Sequence, residues 1–466
     1  MDFFEILMSF ISSIVWGPYM LVFLVGSGIY LTFGLQWKTV TKLGYALKML
    51  LNGRDKDEQE GEGDITPFQA LMTSLAATVG TGNIAGVGTA IALGGPGAIF
   101  WMWITALFGM AIKFGEAVLA VTYREKADEK EIEAVGGPET AGEFAGGPMY
   151  YIKNGMGDKW NWLGTAFALF AAMAAFGIGN TVQSNSVARA AQQAVGVPLW
   201  VTGLVIAGLT FVVIIGGINR IAEVTEKLVP IMAVVYVLGS IIIILFNVEQ
   251  LGSAFSTIFK SAFSGHAAAG GFAGAVITQT IRFGVARGVF SNEAGLGSAA
   301  IAHAASTVKK PVEQGIVAML GGFLDTIIVC TMTALVIIMS GAWTMVNQAT
   351  GEAFTGAALT TKAFNMGLPG FGDVIVAFGM IFFAFSTILT WSYYGEKSVQ
   401  YLFGVKAIKP YRYIWIVVLF IGAVGNLDLI WTIADAMNGL MIVPNLIALL
   451  VLSPVIFKQS KEYFSN

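Results

Sequence analysis

Runs of roughly 20 apolar residues recur along the whole of this 466-residue chain, and runs of that length can cross a hydrocarbon layer as helices. Hydrophobic residues make up 56% and charged residues only 12%, against about 25% charged in a typical soluble domain. Mean hydropathy is +0.73. The expectation is an all-α polytopic membrane protein. The single cysteine, Cys330, sits within an apolar run, which excludes an intrachain disulfide and a cysteine metal cluster. The two histidines, His266 and His303, fall near run ends without zinc-type spacing and read as structural. A formal net charge of −3 gives no reason to expect a nucleic-acid partner. The first apolar run is long enough to remain as a span rather than act as a cleaved signal.

Eleven spans are expected, with limits near Ile14–Leu35, Phe68–Leu93, Gly97–Val121, Trp162–Gln183, Leu199–Gly216, Leu228–Phe246, Gly270–Ala300, Gly315–Ser340, Phe371–Tyr394, Tyr413–Gly425 and Leu427–Leu452. The tenth is short and joins the eleventh through a tight turn. Lys and Arg favour cytoplasmic loops. Of the 26 Lys and Arg residues, twenty fall in one alternating set of loops and the tail, and Arg189, Lys260 and Lys362 fall in the other. Lys113, Arg282 and Arg287 lie within spans. This asymmetry supports the span count and predicts an outside N-terminus and a cytoplasmic C-terminus in the plasma membrane.

The segment "WKTVTKLGYALKMLL" spaces Leu43, Leu47 and Leu50 against Lys42 and Lys48, the pattern of a helix lying flat on the membrane surface. The "DKDEQEGEGD" that follows lacks the ligand spacing of a calcium loop and reads as a solvated linker. After the third span, the glycines and proline of "AGEFAGGPMYYIKNGMG" predict irregular backbone that closes the inner side.

The second span carries "ATVGTGNIAGVG", from Ala77 to Gly88. Four glycines weaken helix continuity there. Without a preceding strand or a nearby lysine it is no phosphate loop. Gly82 and Gly86 form a GxxxG pattern, so one reading is a close-packed helix face. The other is a broken helix, which a membrane tolerates only where the backbone lines a cavity or is buried in protein. A break would offer N–H groups to a carboxylate and unwound carbonyls to Na⁺. Thr78, Thr81 and Asn83 add side-chain oxygens, and no acid lies within the segment. A zwitterion bringing its own carboxylate would need none.

The seventh span is interrupted in the same way, by "TQTIRFGVARGVFSNEAGLGSAAIAHA". Charges within spans are costly and face partners or water. Arg287 and Glu293 are the natural pair, with Arg282 pointing toward the cytoplasmic entrance; a purely structural ion pair is the alternative. Asp325 in span eight and Glu116 in span three are further buried acids, either proton sites or tertiary polar contacts. Spans two and seven are five apart, so the chain has reversed its direction between them, as in an inverted repeat. Asn83-Ile-Ala-Gly86 and Asn292-Glu-Ala-Gly295 are a small sequence echo of that relation.

"GGPGAIFWMWITALFG" (Gly94–Gly109), "EGDITPFQALMTSLAATVGTGNIAGV" and "RGVFSNEAGLGSA" resemble the signatures of the alanine or glycine:cation symporter family. The resemblance covers nearly the whole chain. It implies sodium-coupled, or in some members proton-coupled, uptake of alanine or glycine. It also implies a leucine-transporter-like fold of two five-helix inverted repeats preceded by one extra helix. Residues 1–36 would be that extra helix, 37–65 the interfacial helix and acidic linker, 66–247 and 268–455 the repeats, and 456–466 the tail.

By the same analogy, Ser386 and Thr387 of span nine face the carbonyls of Ala76 and Val79 and complete a sodium site; hydrogen bonds back to their own helix are the alternative. Gly80, Gly82 and the polar side chains around them would hold substrate. Phe176, Asn180 and Gln183 share a helical face in span four. Gln279 and Phe283 in span seven and Trp391, one turn after Thr387, complete the expected pocket, with Trp391 and Phe176 as the walls that exclude large side chains; a lipid-facing or core position for Phe176 and a lipid-interface anchor for Trp391 are the alternatives. Sodium is the expected co-transported ion. No organic cofactor, catalytic constellation or obligate protein partner is expected; alanine or glycine and membrane lipid are. An ion channel is a weaker reading, since no repeated pore loop or charged ring is present.

Overall fold

The computed structural model describes residues 3–52, 61–134, 136–137, 142–264, 273–348, 351–425 and 428–465. The first half of the expected acidic linker, Asp55–Glu60, and His266 lie outside the described residues. Apart from two short paired strands, Glu125–Lys126 and Phe144–Ala145, and two isolated bridges, the described architecture is helical.

Helices occupy each of the eleven expected segments. Among the described residues, eight are long and apolar enough to cross a membrane, and a bent pair in segment two makes nine. The fifth, Leu199–Ile214, is apolar but has only 16 residues. The seventh, divided into Ala273–Asn292 and Ser298–Ala304, does not qualify as an apolar span. Charges and a break interrupt its apolar character, as its sequence indicates.

Several boundaries differ from expectation. The first segment is two helices, Phe3–Val15 and Pro18–Gly34, because Pro18 cannot continue the first helix and starts the second. The shorter helix packs on span eleven. Span nine runs Gly372–Phe403, well past Tyr394, so Lys397 is buried on the helix instead of lying in a loop. Span ten starts at Ile408, five residues early, and this brings Arg412 inside as well. Its guanidinium forms a buried ion pair with Glu396 at 2.6 Å and donates to the Ile215 carbonyl at 3.0 Å. A buried charge is tolerated there because both partners are paired.

Helices in corresponding places of the two halves pack on one another. Span three lies along the first half of span eight, the second half of span four along span nine, and span five along span ten. Span three also packs on spans one and seven, and span nine on spans two, four and six. The two broken segments are thereby held between these two central helices.

The end of the bundle that carries the basic loops is tied shut. The Asp64 and Ile65 amides donate to the Ala305 carbonyl at 2.8 and 3.1 Å, and the Thr307 amide donates to the Ile65 carbonyl at 2.8 Å. Arg124 donates to the carbonyls of Ala304 and Ser306, both at 2.8 Å, while its guanidinium lies 4.3 Å over the Phe144 ring. The Asp64 carboxylate accepts from the amides of Glu143 and Phe144 at 2.7 and 3.1 Å. Burial pushes this carboxyl up from its ordinary value, and those two amides oppose the shift. The glycine-proline stretch after span three thus packs into this closed end. Arg124→Ala removes three hydrogen bonds from a charged donor, to the carbonyls of Glu62, Ala304 and Ser306, worth about 1.5–3 kcal/mol each. Amides between residues 300 and 308 should then exchange with deuterium faster, as read by mass spectrometry. Unchanged exchange would show that Arg124 does not hold this end.

Candidate functional site

Span two begins with a capping box: Thr66 Oγ1 accepts from the Gln69 amide at 3.1 Å and Gln69 Oε1 accepts from the Thr66 amide at 3.0 Å, with Pro67 in the first turn. The helix ends at Thr78, and a second half-helix, Gly82–Gly94, leaves at 51° to the first. The segment is therefore a broken helix. The Asn83 side chain bridges the break, Oδ1 accepting from the Gly80 amide at 2.8 Å. The Asn83 amide donates to the Gly80 carbonyl at 3.3 Å. Among the described residues, this leaves the Thr81 and Gly82 amides as the first free N–H groups of the second half-helix. Thr78 has turned its hydroxyl back to the Ser74 and Leu75 carbonyls, both at 3.3 Å.

The hydroxyls of Ser386 and Thr387 reach across from span nine to the end of the first half-helix. Ser386 Oγ lies 3.2 Å from the Ala76 carbonyl, and Thr387 Oγ1 lies 3.1 and 3.3 Å from the carbonyls of Ala76 and Ala77. Both also lie 2.9 Å from the Phe383 carbonyl of their own helix. Facing the Ala76 carbonyl and bonding back to their own helix thus coexist, since one hydroxyl oxygen can stand near both sets of carbonyls. Ala77, absent from the expectation, joins the cluster. Among the described residues neither hydroxyl contacts the Val79 carbonyl, and Gly80 stands close beside Thr387, where a Cβ would lie 2.9 Å from its hydroxyl.

An acid does stand at the break, contrary to what the segment alone suggested. The Asp325 carboxylate accepts from Asn83 Nδ2 at 2.7 Å, Ser291 Oγ at 2.9 Å and Thr326 Oγ1 at 2.8 Å. Span eight supplies it, from a π-helical turn at Phe323–Cys330. Glu116 likewise has a tertiary role. Its Oε1 accepts from the Gly295 and Gly297 amides at 3.1 and 3.2 Å and from Asn445 Nδ2 at 2.7 Å. It satisfies the unwound turn of span seven, where Glu293, Gly295 and Gly297 all have left-handed φ. His303 is a core residue, its Nδ1 2.6 Å from Gln314 Nε2.

The expected Arg287–Glu293 pair does not form. The left-handed backbone at Glu293, φ 57°, redirects its carboxylate to Ser298 Oγ at 2.7 Å and Trp391 Nε1 at 3.1 Å. Arg282 and Arg287 instead line a cavity of about 490 Å³ beside Asp435 and the N-terminal helix, at the end opposite the basic loops. Arg282 therefore does not point toward the closed end.

A second cavity, of about 630 Å³, descends from that same open end to Thr81, between span nine and the Ser186 and Arg189 face of span four. Gln183 shares that face, is buried, and has its Oε1 without a partner among the described residues. Phe176 does not share it. A π-helical turn at Ala175–Thr181 shifts the register, so its ring packs at a tilt against Tyr411 and Trp415 of span ten, with centroids 5.3 and 5.5 Å away. Asn180 likewise donates to the Trp415 carbonyl at 2.9 Å. Gln279 is exposed and lies roughly 20 Å along its helix from the turn at Glu293, too far to meet a ligand at the break. Phe283 lines the cavity with the arginines rather than the break. Trp391 is fully buried below the break, packed so closely on span four that a Cβ on Gly179 would lie 2.2 Å from its own. It lines neither cavity.

Sequence reasoning passed over Asp435, Ser291 and Ala77. Asp435 carried a readable signal, an acid within an apolar run; the other two show their roles only through tertiary contact.

The sodium:alanine symporter family model matches residues 1–466. The chain is 51% identical to the sodium/alanine symporter AgcS of Methanococcus maripaludis over 465 residues, covering 99% of this chain and 98% of that one. It is 37% identical to a probable sodium/glutamine symporter of Bacillus subtilis, covering 97% and 89% respectively. A solved manganese transporter of Eremococcus coleocola overlays at a TM-score of 0.44 and 12% identity, over 86% of this chain and 82% of that one. That overlay is too loose to carry an argument. On the family match and the relatives, this multi-pass membrane protein belongs to the sodium:alanine symporter family, whose work is cation-coupled amino-acid symport.

Proposed function

We propose that the chain carries alanine or glycine into the cell together with sodium by alternating access, with its N-terminus outside and its C-terminus in the cytoplasm. The observation that carries this reading is the oxygen cluster at the broken second span. The hydroxyls of Ser386 and Thr387 converge on the Ala76 carbonyl, at the negative end of one half-helix. The Thr81 and Gly82 amides open the next half-helix a few residues on. A hard cation suits the first group and a carboxylate the second. Sodium would take the Ala76 carbonyl and the two hydroxyls, with the Val79 carbonyl as a further oxygen at the helix end. The substrate carboxylate would sit on the Thr81 and Gly82 amides, and its ammonium would have the buried Gln183 Oε1 within the same region.

The packing of spans three, four and five on spans eight, nine and ten supports two five-helix repeats, 66–247 and 268–455, with residues 1–36 outside them. The tied basic end and the cavity reaching Thr81 from the other end support a conformation open to the outside. Proton coupling is the second reading. The Asp325 carboxylate in contact with Asn83 favours it, since an acid at the break is placed to take up a proton with substrate. Uptake of labelled alanine into liposomes under separately imposed sodium and proton gradients decides between the two.

Three outcomes follow. Losing two oxygen ligands, each worth about 1 kcal/mol or more, should raise the sodium needed for half-maximal uptake on the order of tenfold or more in the Ser386→Ala, Thr387→Ala double variant. Wild-type sodium activation in that variant would rule out this site. Alaninamide lacks the carboxylate and should compete with alanine at least about tenfold more weakly, because a charged hydrogen-bonding group is lost; equal competition would count against the amide site. Trp391 is buried below the break, where its bulk would bound a closed substrate pocket, and Trp391→Ala should broaden binding toward valine or leucine. A folded variant with unchanged size preference and unchanged alanine affinity would put Trp391 outside the pocket, and Trp391→Phe separates loss of bulk from loss of the bond to Glu293.

A further inference from the structure

Arg282 and Arg287 are the two cations within span seven, and neither serves the break. They face a cavity of about 490 Å³ walled by span seven, span eleven and the N-terminal helix. Ser9, Ser12 and Ser13 reach it from the N-terminal helix and Asp435 from span eleven. Ser12 Oγ donates to Asp435 Oδ2 at 2.6 Å and Trp16 Nε1 donates to the Asp435 carbonyl at 3.2 Å, which fixes that helix on the cavity wall. Among the described residues, no hydrogen bond or ion pair engages the Arg287 guanidinium, whose contact is the Phe290 ring at 5.5 Å. Charges this far along a span face a partner or a water-filled path.

We propose that this cavity is a separate docking site for a free α-amino acid. The ligand carboxylate lies between the guanidiniums of Arg282 and Arg287, and its ammonium faces Asp435 and the serine hydroxyls. Planar guanidinium forks match a carboxylate. Asp435 decides the class: it would repel a phosphate or a lipid headgroup bearing only negative charge, whereas a zwitterion satisfies both signs. Arg287 and Phe290 also line the larger cavity that leads down to Thr81, so a ligand released here is one side chain away from the path to the break. This gives the N-terminal helix, which lies outside the proposed repeats, a part in substrate capture. The proposal rests on the amino-acid transport reading and places a second, sodium-independent binding event before the sodium-dependent one.

The test is equilibrium dialysis of labelled L-alanine against the purified full chain, with choline replacing sodium and then with sodium present. The expected result is about one alanine bound per chain without sodium and a second when sodium is added. Arg282→Gln, at an exposed position, and Asp435→Asn should each weaken the sodium-free event on the order of tenfold or more, since each loses a charged hydrogen-bonding group. Arg287→Lys should retain part of it. Propionate should compete there, and inorganic phosphate should not. No sodium-free binding, sodium-free binding unchanged in Arg282→Gln and Asp435→Asn, or displacement by phosphate as strong as by alanine would each overturn the proposal. Loss of only the sodium-dependent event in the Ser386→Ala, Thr387→Ala variant supports two separate sites. If the sodium-dependent event survives that variant while sodium-free binding behaves as expected, the docking site stands and the central sodium site fails.

Discussion

Everything near the centre of this protein depends on satisfying backbone groups where two membrane-embedded segments stop being helical. Unpaired N–H and C=O groups cost several kcal/mol each in hydrocarbon. Asn83 meets that demand in the second span by accepting from the Gly80 amide. Glu116 meets it in the seventh by accepting from the Gly295 and Gly297 amides. Each satisfying side chain is held in turn by another span: Asn83 by Asp325 of span eight, and Glu116 by Asn445 of span eleven, which also accepts from the Tyr151 hydroxyl. The breaks are therefore properties of the bundle rather than of isolated helices.

The buried charges follow the same logic. Glu293, Asp325, Glu116 and Lys113 all lie in spans and are almost wholly buried. Three of them are acids with donors converging on them. Lys113 Nζ, by contrast, has no hydrogen-bond partner among the described residues. It shares helix and neighbourhood with Glu116, whose second oxygen is also unpartnered. A positive charge among three acids lowers the cost of keeping all of them out of water.

The two ends of the molecule differ in how they are joined. At the basic end, a parallel bridge between Ile65 and Ser306 and the Arg124 guanidinium, which donates to the carbonyls of Glu62, Ala304 and Ser306, tie the start of span two to the end of span seven. At the other end the two spans remain joined, Thr280 Oγ1 donating to the Gly94 carbonyl at 2.7 Å, but two cavities open beside them and share Arg287 and Phe290 as a common wall. Alternating access would require the first set of contacts to break as the second set forms. The hydrogen bonds of Arg124 and Asp64 are consequently the ones expected to limit opening of the basic end.

Much of this was legible in the sequence. Apolar run length determined a helical membrane protein, and the glycines of Ala77–Gly88 marked a helix that could break. The motifs gave the family, and the analogy that came with them brought Ser386 and Thr387 to the Ala76 carbonyl. What the sequence left open depended on register and on side chains from distant spans. A π-helical turn rotated Phe176 away from Gln183, and no pattern of 3.6-residue spacing anticipates such a turn. A left-handed residue turned Glu293 from Arg287 to Trp391. Asp325 reached the break from more than two hundred residues away. Hydrophobic periodicity reports which residues avoid water, and that is a local property. Which buried polar groups satisfy one another is decided by packing, because hydrogen bonds need donor and acceptor within about 3 Å and only the assembled bundle sets that distance.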